Sequence, residues 1–340
     1  MAVSAKDVME LRRQTDCGMM ECKKALVKAD GDINKAIEIL REEGLATAAK
    51  KAGRIAAEGM VYAVATANGA VVVEVNAETD FVAKNDKFVE FTKDLANVVA
   101  EQKPADVEAL MGCKMGEGTV DEALKALILV IKENIKVRRF AFYEGHCAAY
   151  VHGGGTHGVI VKFDTTDEVA AKPEFVEFGK DIAMQIAAAN PSYLNREAVP
   201  VEAIENEKKI IIAQMANDPK AANKPDAIKE KMATGRLGKF YKENCLVDQA
   251  FIKDGNMDVN AYVNATAKKL GGDIKIVEYT HFIKGEGLEK RVDDFAAEVA
   301  AAVKGWSRAS CWCLRSSCAF SSFRALRWCP ESSRCSLSRR

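Results

Sequence analysis

The sequence predicts an α+β protein on three observations. Short amphipathic helices open the chain, a β-hairpin-then-helix unit occurs twice in the middle, and helical periodicity returns after the second unit.

The first 45 residues read as three short helices. Ser4, with Asp7 three residues on, resembles a capping box, and Val8 and Leu11 begin an apolar stripe. The second helix sets Met19, Cys22 and Leu26 on one face, with one of Met19 and Met20 expected in the core. It stops at Asp30-Gly31. Asp32 is suited to cap the third helix, where Ile33, Ala36, Ile37 and Leu40 share a face, and Gly44 is expected to close it. LATAAKKAGRIAAEG (45–59) reads as a helical or extended linker. A helical module of residues 1–53 is thus followed by a core.

The repeat sets the organisation of that core. TDFVAKNDKFVEFTKDLA begins at Thr79 and TDEVAAKPEFVEFGKDIA at Thr166, 87 residues later, with eleven of eighteen positions identical. Two β-like runs precede each copy. MVYAVAT and AVVVEVN flank Asn68-Gly69, a hairpin signal, and CAAYVH and GVIVKFD flank Gly153-Gly154-Gly155. Each copy is a hairpin plus an amphipathic helix, so 54–140 and 141–285 read as two related subdomains. Between the copies, 120–135 reads as a buried helix and 136–145 as a strand. Within the second half, 197–217 and 224–241 flank the breaker DPKAANKP and read as a projecting antiparallel helical hairpin (197–242). A last strand (273–283) precedes a C-terminal module (286–305), a helix with Val292, Phe295, Val299 and Val303 on one face.

Net charge is zero, yet residues 306–340 carry seven Arg, no Lys and a single acid, leaving the rest at −6. An acidic body argues against nucleic acid as the main partner. Neither a signal peptide nor an apolar run of about 20 residues is present, so the cytosol is the expected compartment and no membrane contact is expected. The last 35 residues hold five of ten cysteines and all three tryptophans and have no periodicity. They read as a frameshift or cloning readthrough, with a basic binding arm as the rival. The other five cysteines form no CxxC pair, so no zinc site or disulfide framework is indicated.

Function-bearing residues emerge from comparing the two copies. Thr79 and Asp80 are expected to cap the turn into the next helix, and Val82 to lie beneath it. The copies differ at Phe81 and Glu168. Because an unpaired carboxylate is costly to bury, the scaffold is expected to expose this position, which would make Phe81 an anchor for a partner's pocket. The alternative turns Phe81 inward to its own core. Cys147, His152 and His157 lack further ligands for a metal. Gly153–Gly155 lacks the Gly-Lys-Ser/Thr of a phosphate loop and reads as a turn. The charged helices near 202–209 and 226–243 read as solvated faces, and no hydrolytic triad appears.

EVNAETDFVAKND (74–86) closely resembles the signature of the elongation factor Ts family, and LRRQTDCGMMECKKAL (11–26) looks like its N-terminal signature. GDINKAIEILREEGLATAAKKAGRIAAEG, HGGGTHGVIV and GEGLEKRVDDFAAEVAA are similar to that family too. The likeness spans about residues 1–305. It departs at Asp16-Cys17, where the family usually has Gly-Ala, and fails beyond about 305. It implies a ubiquitin-associated-like N-terminal module and a non-enzymatic guanine-nucleotide exchange factor with no cofactor and no small-molecule substrate. The implied partner is elongation factor Tu. The loop Thr79-Asp80-Phe81-Val82 would enter the partner's nucleotide-binding domain, with Phe81 as a wedge and Asp80 disturbing the magnesium and phosphate region. Met19, Met20 and His152 would add contacts. An adaptor without effect on nucleotides and a histidine-based hydrolase are the rivals from other classes.

Overall fold

The computed structural model describes residues 3–216, 226–289 and 299. Its chain begins with α1 (Ala5–Thr15), started by Ser4, whose hydroxyl accepts the Asp7 N–H at 3.2 Å. α2 (Met19–Lys28) and α3 (Ile33–Lys51) follow, the latter capped by Asp32, which accepts the Asn34 N–H at 2.9 Å. Val8, Leu11, Cys22, Ala25, Leu26, Ala36 and Leu40 close a small core among the three.

Gly44 does not end α3. The helix passes through it and lies against α7 (below), where an added Cβ would stand 3.4 Å from the Lys125 carbonyl oxygen. A close helix crossing, rather than a helix stop, accounts for the glycine. Leu129 completes the three-helix core from the other side of that crossing. So small a module gains buried surface from its neighbour.

The next elements are β1 (Glu58–Thr66), β2 (Gly69–Ala77), the single turn α4 (Asp80–Ala83) and α5 (Asp86–Gln102). After α6 (Val107–Gly112) and the short pair β3 (Lys114–Met115) and β4 (Gly118–Thr119) comes α7 (Val120–Ile131). A reciprocal capping box of Thr119 and Glu122 begins it. β5 (Lys136–Glu144) then pairs antiparallel with β2, giving a sheet ordered β1-β2-β5. Val71, Val73 and Val75 face Phe88, Phe91, Leu95 and Val99 of α5.

The second half repeats this plan. β6 (Cys147–His152) and β7 (His157–Asp164) form a hairpin, followed by the single turn α8 (Asp167–Ala170) and by α9 (Pro173–Ala189). α10 (Val201–Ala216), α11 (Asp226–Asn244) and α12 (Val259–Leu270) precede β8 (Lys275–Ile283), and the sheet order is β6-β7-β8. Each closing strand carries a bulge, between Glu74 and Val75 in one pairing and between Lys162 and Phe163 in the other. Phe163, Phe175, Phe178 and Ile182 centre this core. α10 and α11 hold a small core of their own, with Ile211, Met215 and Leu237 buried. The breaker 218–225, the expected C-terminal helix (except Val299, which is helical) and the tail 306–340 lie outside the described residues. No described helix is long and apolar enough to cross a membrane.

The two sheets meet face to face. Val61, Ala63, Ala70 and Val72 oppose Ile160 and Phe282. Gly158 sits at the tightest approach, where a Cβ would fall 2.4 Å from Val61 Cγ1. β2 is therefore buried on both faces along its whole length, which explains its near-continuous apolar run.

One charge lies inside this strand. Glu74, fully buried, accepts Arg139 Nε at 2.6 Å, Arg138 Nη1 at 3.0 Å and the Gly285 N–H at 2.9 Å. Arg139 also reaches Glu286 at 3.2 Å and stacks over Phe282 at 4.2 Å. The cluster ties the first sheet to the segment leaving β8. Burial pushes the Glu74 carboxyl up, but the Gly285 N–H, Arg139 and Arg138 outweigh it and hold the group below the usual carboxylate range. A depressed folded pKa adds stability above the ordinary carboxylate value, and that contribution is lost as the pH falls through the folded value. Glu74→Gln leaves two arginines without their counter-charge, so we expect a loss of about 3 kcal/mol at neutral pH in chemical denaturation. The variant should also lose less stability than the native chain between about pH 6 and pH 3; identical acid slopes would contradict this account.

Candidate functional site

Thr79–Val82 leaves the end of β2 and forms the cap and first residues of α4. Val82 is 6% exposed and joins the core of the first half. Successive helical residues point about 100° apart, so burying Val82 directs its neighbour outward. Phe81 is 79% exposed, more than any other large apolar side chain among the described residues. Of the two orientations open to Phe81, the structure has the outward one. Glu168, at the matching position of α8, is exposed as well, while Val169 is buried.

The expected capping by Thr79 and Asp80 does not occur. No side-chain cap bond is made to α4. The Thr79 hydroxyl instead donates to Glu133 at 2.8 Å, and the Thr79 N–H donates to the other oxygen of that carboxylate at 3.0 Å. An ionised acceptor makes the stronger bond and outcompetes the one-turn helix for the hydroxyl. Asp80 is exposed and pairs with Lys84 at 3.4 Å, within its own turn. Thr166 caps nothing either, and Asp167 meets His146 Nε2 at 3.0 Å.

A second layer holds the loop. Glu78 accepts the Asn134 N–H at 2.7 Å, and Asn134 Nδ2 donates to the Arg54 carbonyl at 2.7 Å. Arg54 closes the circuit on Glu78 at 3.4 Å. The segment before the displayed ring is thereby bonded to the segment before β5. Sequence reading missed Glu78, Glu133 and Asn134 because their partners lie about 54 to 80 residues away, and no local pattern announces such pairing.

Met19 and Met20 are both exposed, at 49% and 63%, so the expectation that one lies in the core is overturned. The buried face of α2 begins one turn later, at Cys22. Both methionines stand at the first turn of that helix, next to Glu21, which pairs with Lys132, the neighbour of Glu133. Asp16, just before that turn, pairs with Lys87 at the start of α5 at 3.1 Å. Two ion pairs therefore link this end of the helical module to the supports of the Phe81 loop.

His152 is exposed at the β6–β7 turn. The turn lies on β1: the Gly155 carbonyl accepts the Val61 N–H at 2.8 Å, close to where β1 pairs with the end of β2. Tyr150 bonds His152 Nδ1 at 3.0 Å, and His157 Nδ1 contacts His281 Nε2 at 3.1 Å. Burial and the neighbouring His157 bring His281 down to about 4, so it is neutral at neutral pH. Cys147 occupies the far end of β6 from His152, about 16 Å away at strand spacing, and burial raises its thiol to about 11. No group of three His, Cys, Asp or Glu among the described residues is arranged to hold a metal ion.

The fold and this loop define the class: an α+β factor whose most prominent surface feature is an aromatic ring displayed on a fixed turn. A family model described as Elongation factor TS matches residues 78–286. Elongation factor Ts of Trichlorobacter lovleyi is 46% identical over 312 residues, covering 89% of this chain and 99% of its own. Elongation factor Ts of Clostridium botulinum is 45% identical over 304 residues (88% and 98%), and that of Symbiobacterium thermophilum is 45% identical over 304 (87% and 97%). The chain belongs to the elongation factor Ts family, the nucleotide exchange factors of translation elongation.

An exposed ring carries no folding energy, so Phe81→Glu, which writes the residue of the second copy into the first, should change unfolding free energy by no more than about 0.5 kcal/mol. Thermal or urea denaturation checks this. A collapse in stability would show that the ring belongs to the core.

Proposed function

We propose that the chain binds elongation factor Tu carrying GDP and promotes GDP release, after which GTP rebinds. The observation that carries this reading is Phe81, exposed on an anchored turn in a member of a nucleotide exchange family. In this reading Phe81 enters the nucleotide-binding domain of the partner as a wedge. Asp80 disturbs the region that holds magnesium and the phosphates, while Thr79 and Val82 seat the loop. Met19 and Met20, on a ubiquitin-associated-like N-terminal module, and His152 add contacts. Residues 54–140 and 141–285 act as two related subdomains, from the second of which the helical hairpin projects. Exchange requires no cofactor, small-molecule substrate or covalent step, and its place is the cytoplasm. The tail 306–340 stands outside this function, as a frameshift or readthrough product.

The energetics are those of linkage. A factor that binds the nucleotide-free partner more tightly than the GDP-bound one must weaken GDP binding by the same factor. Burying a Phe side chain contributes roughly 1.5–3 kcal/mol, so this ring alone accounts for a shift of about ten- to a hundredfold. Loss of magnesium removes charge compensation from the phosphates and loosens GDP further.

Release of a fluorescent GDP from elongation factor Tu tests the proposal. The native chain should accelerate release, and Phe81→Glu should cut the acceleration by at least about tenfold. Binding without acceleration by the native chain would instead mark an adaptor and overturn the exchange reading.

A further inference from the structure

We propose that Glu133 is the positioning residue that holds Phe81 for exchange, a role that rests on the exchange reading above. Three observations carry it. First, the Glu133 carboxylate grips the loop at two points of one residue, the Thr79 N–H at 3.0 Å and the Thr79 hydroxyl at 2.8 Å. Two bonds on adjacent atoms restrain both the position and the direction of the chain as it enters α4. A single contact would leave it free to pivot. Val82 then fixes the other side of the turn in the core. Phe81 lies between these two restraints and is largely in solvent, so its direction is set by them.

Second, the internal repeat supplies a control. The second copy has the same one-turn helix and the same buried valine, Val169, but the outward residue is Glu168. Its Thr166 hydroxyl makes no bond to a carboxylate. The links to the stretch before β8 go to backbone carbonyls, from the Thr165 hydroxyl to Asp273 at 2.9 Å and from Lys172 Nζ to Leu270 at 2.6 Å, with no carboxylate grip on the threonine. A fold that needed the two-point carboxylate grip for its own stability would have it in both halves. Only the half that displays the ring has it.

Third, Glu133 follows Lys132, which pairs with Glu21 and whose carbonyl accepts from Lys51. The grip is thus mounted at the end of α7, on which the helical module rests. Exposed methionines and ring share this one anchorage.

A group that acts through another is exposed by a double-variant cycle. We expect Glu133→Ala to lower the maximal rate of fluorescent-GDP release at saturating factor by about tenfold, because small misplacements of a working group are costly. Half-saturation should move less than about twofold and the melting temperature by only a few degrees. Glu133→Gln, whose amide oxygen can still accept the Thr79 N–H while its NH2 donates to the Thr79 hydroxyl, should recover most of the rate. Thr79→Val, which keeps the N–H bond and loses the hydroxyl bond, should fall between. In a Phe81→Ala background, Glu133→Ala should cost nothing further.

Native-like exchange by Glu133→Ala would overturn the proposal. So would an equal loss with and without the ring, since the carboxylate would then act by another route. If Glu133→Ala folds poorly, a native rate in Thr79→Val overturns the proposal in its place, and a reduced rate in that variant supports it. Native exchange by Phe81→Ala itself would sink the wedge role of Phe81, and the positioning role with it, while no acceleration by the native chain would sink the exchange reading. Strong loss in Phe81→Ala beside a native rate in Glu133→Ala would sink the positioning role alone.

Discussion

A single helical turn cannot bury two consecutive large side chains in one core. At α4 that constraint decides the surface of the protein: Val82 goes in, so Phe81 goes out. Burying Val82 contributes on the order of 1.5–3 kcal/mol, and leaving Phe81 in water forgoes a gain of similar size. No other large apolar side chain among the described residues is as exposed. Folding alone gives no reason to keep a phenylalanine there, because the second copy fills the position with Glu168 and makes the same turn. The proposed contact with a partner is what accounts for the ring.

The rest of the architecture reads as support for that turn. β2, from which the loop departs, is buried on both faces by α5 and by the second sheet. Glu74 and its two arginines connect it to the end of β8. Behind the loop, Glu78, Asn134 and Arg54 join the chain before α4 to the chain before β5. A rigid mount matters for the proposed wedge, since a ring that must first be ordered gives up part of its binding free energy to that ordering.

Much of this was legible in the sequence. The α+β class and both hairpins followed from the repeat and its turn signals, whereas the outward Phe81 was one of two orientations that comparison of the copies left open. The failures share one cause. Gly44 looked like a helix stop because the helix that crosses it lies some 80 residues on. Met19 looked like core because helical spacing says which residues share a face and not how far the covering neighbour extends. Thr79 looked like a cap because its competitor, Glu133, is remote in the chain. Local periodicity determines elements; long-range hydrogen bonds determine how the site is held, and a single sequence does not display them.

The most direct test of the central claim follows the ring itself. A chain with a fluorinated phenylalanine at position 81 would be titrated with elongation factor Tu, and its ¹⁹F resonance recorded first without nucleotide and then with excess Mg·GDP. The resonance should shift to a protected, buried environment in the nucleotide-free complex and return to its solvent position as Mg·GDP displaces the factor. A resonance that stays solvent-exposed while the complex forms would contradict the account.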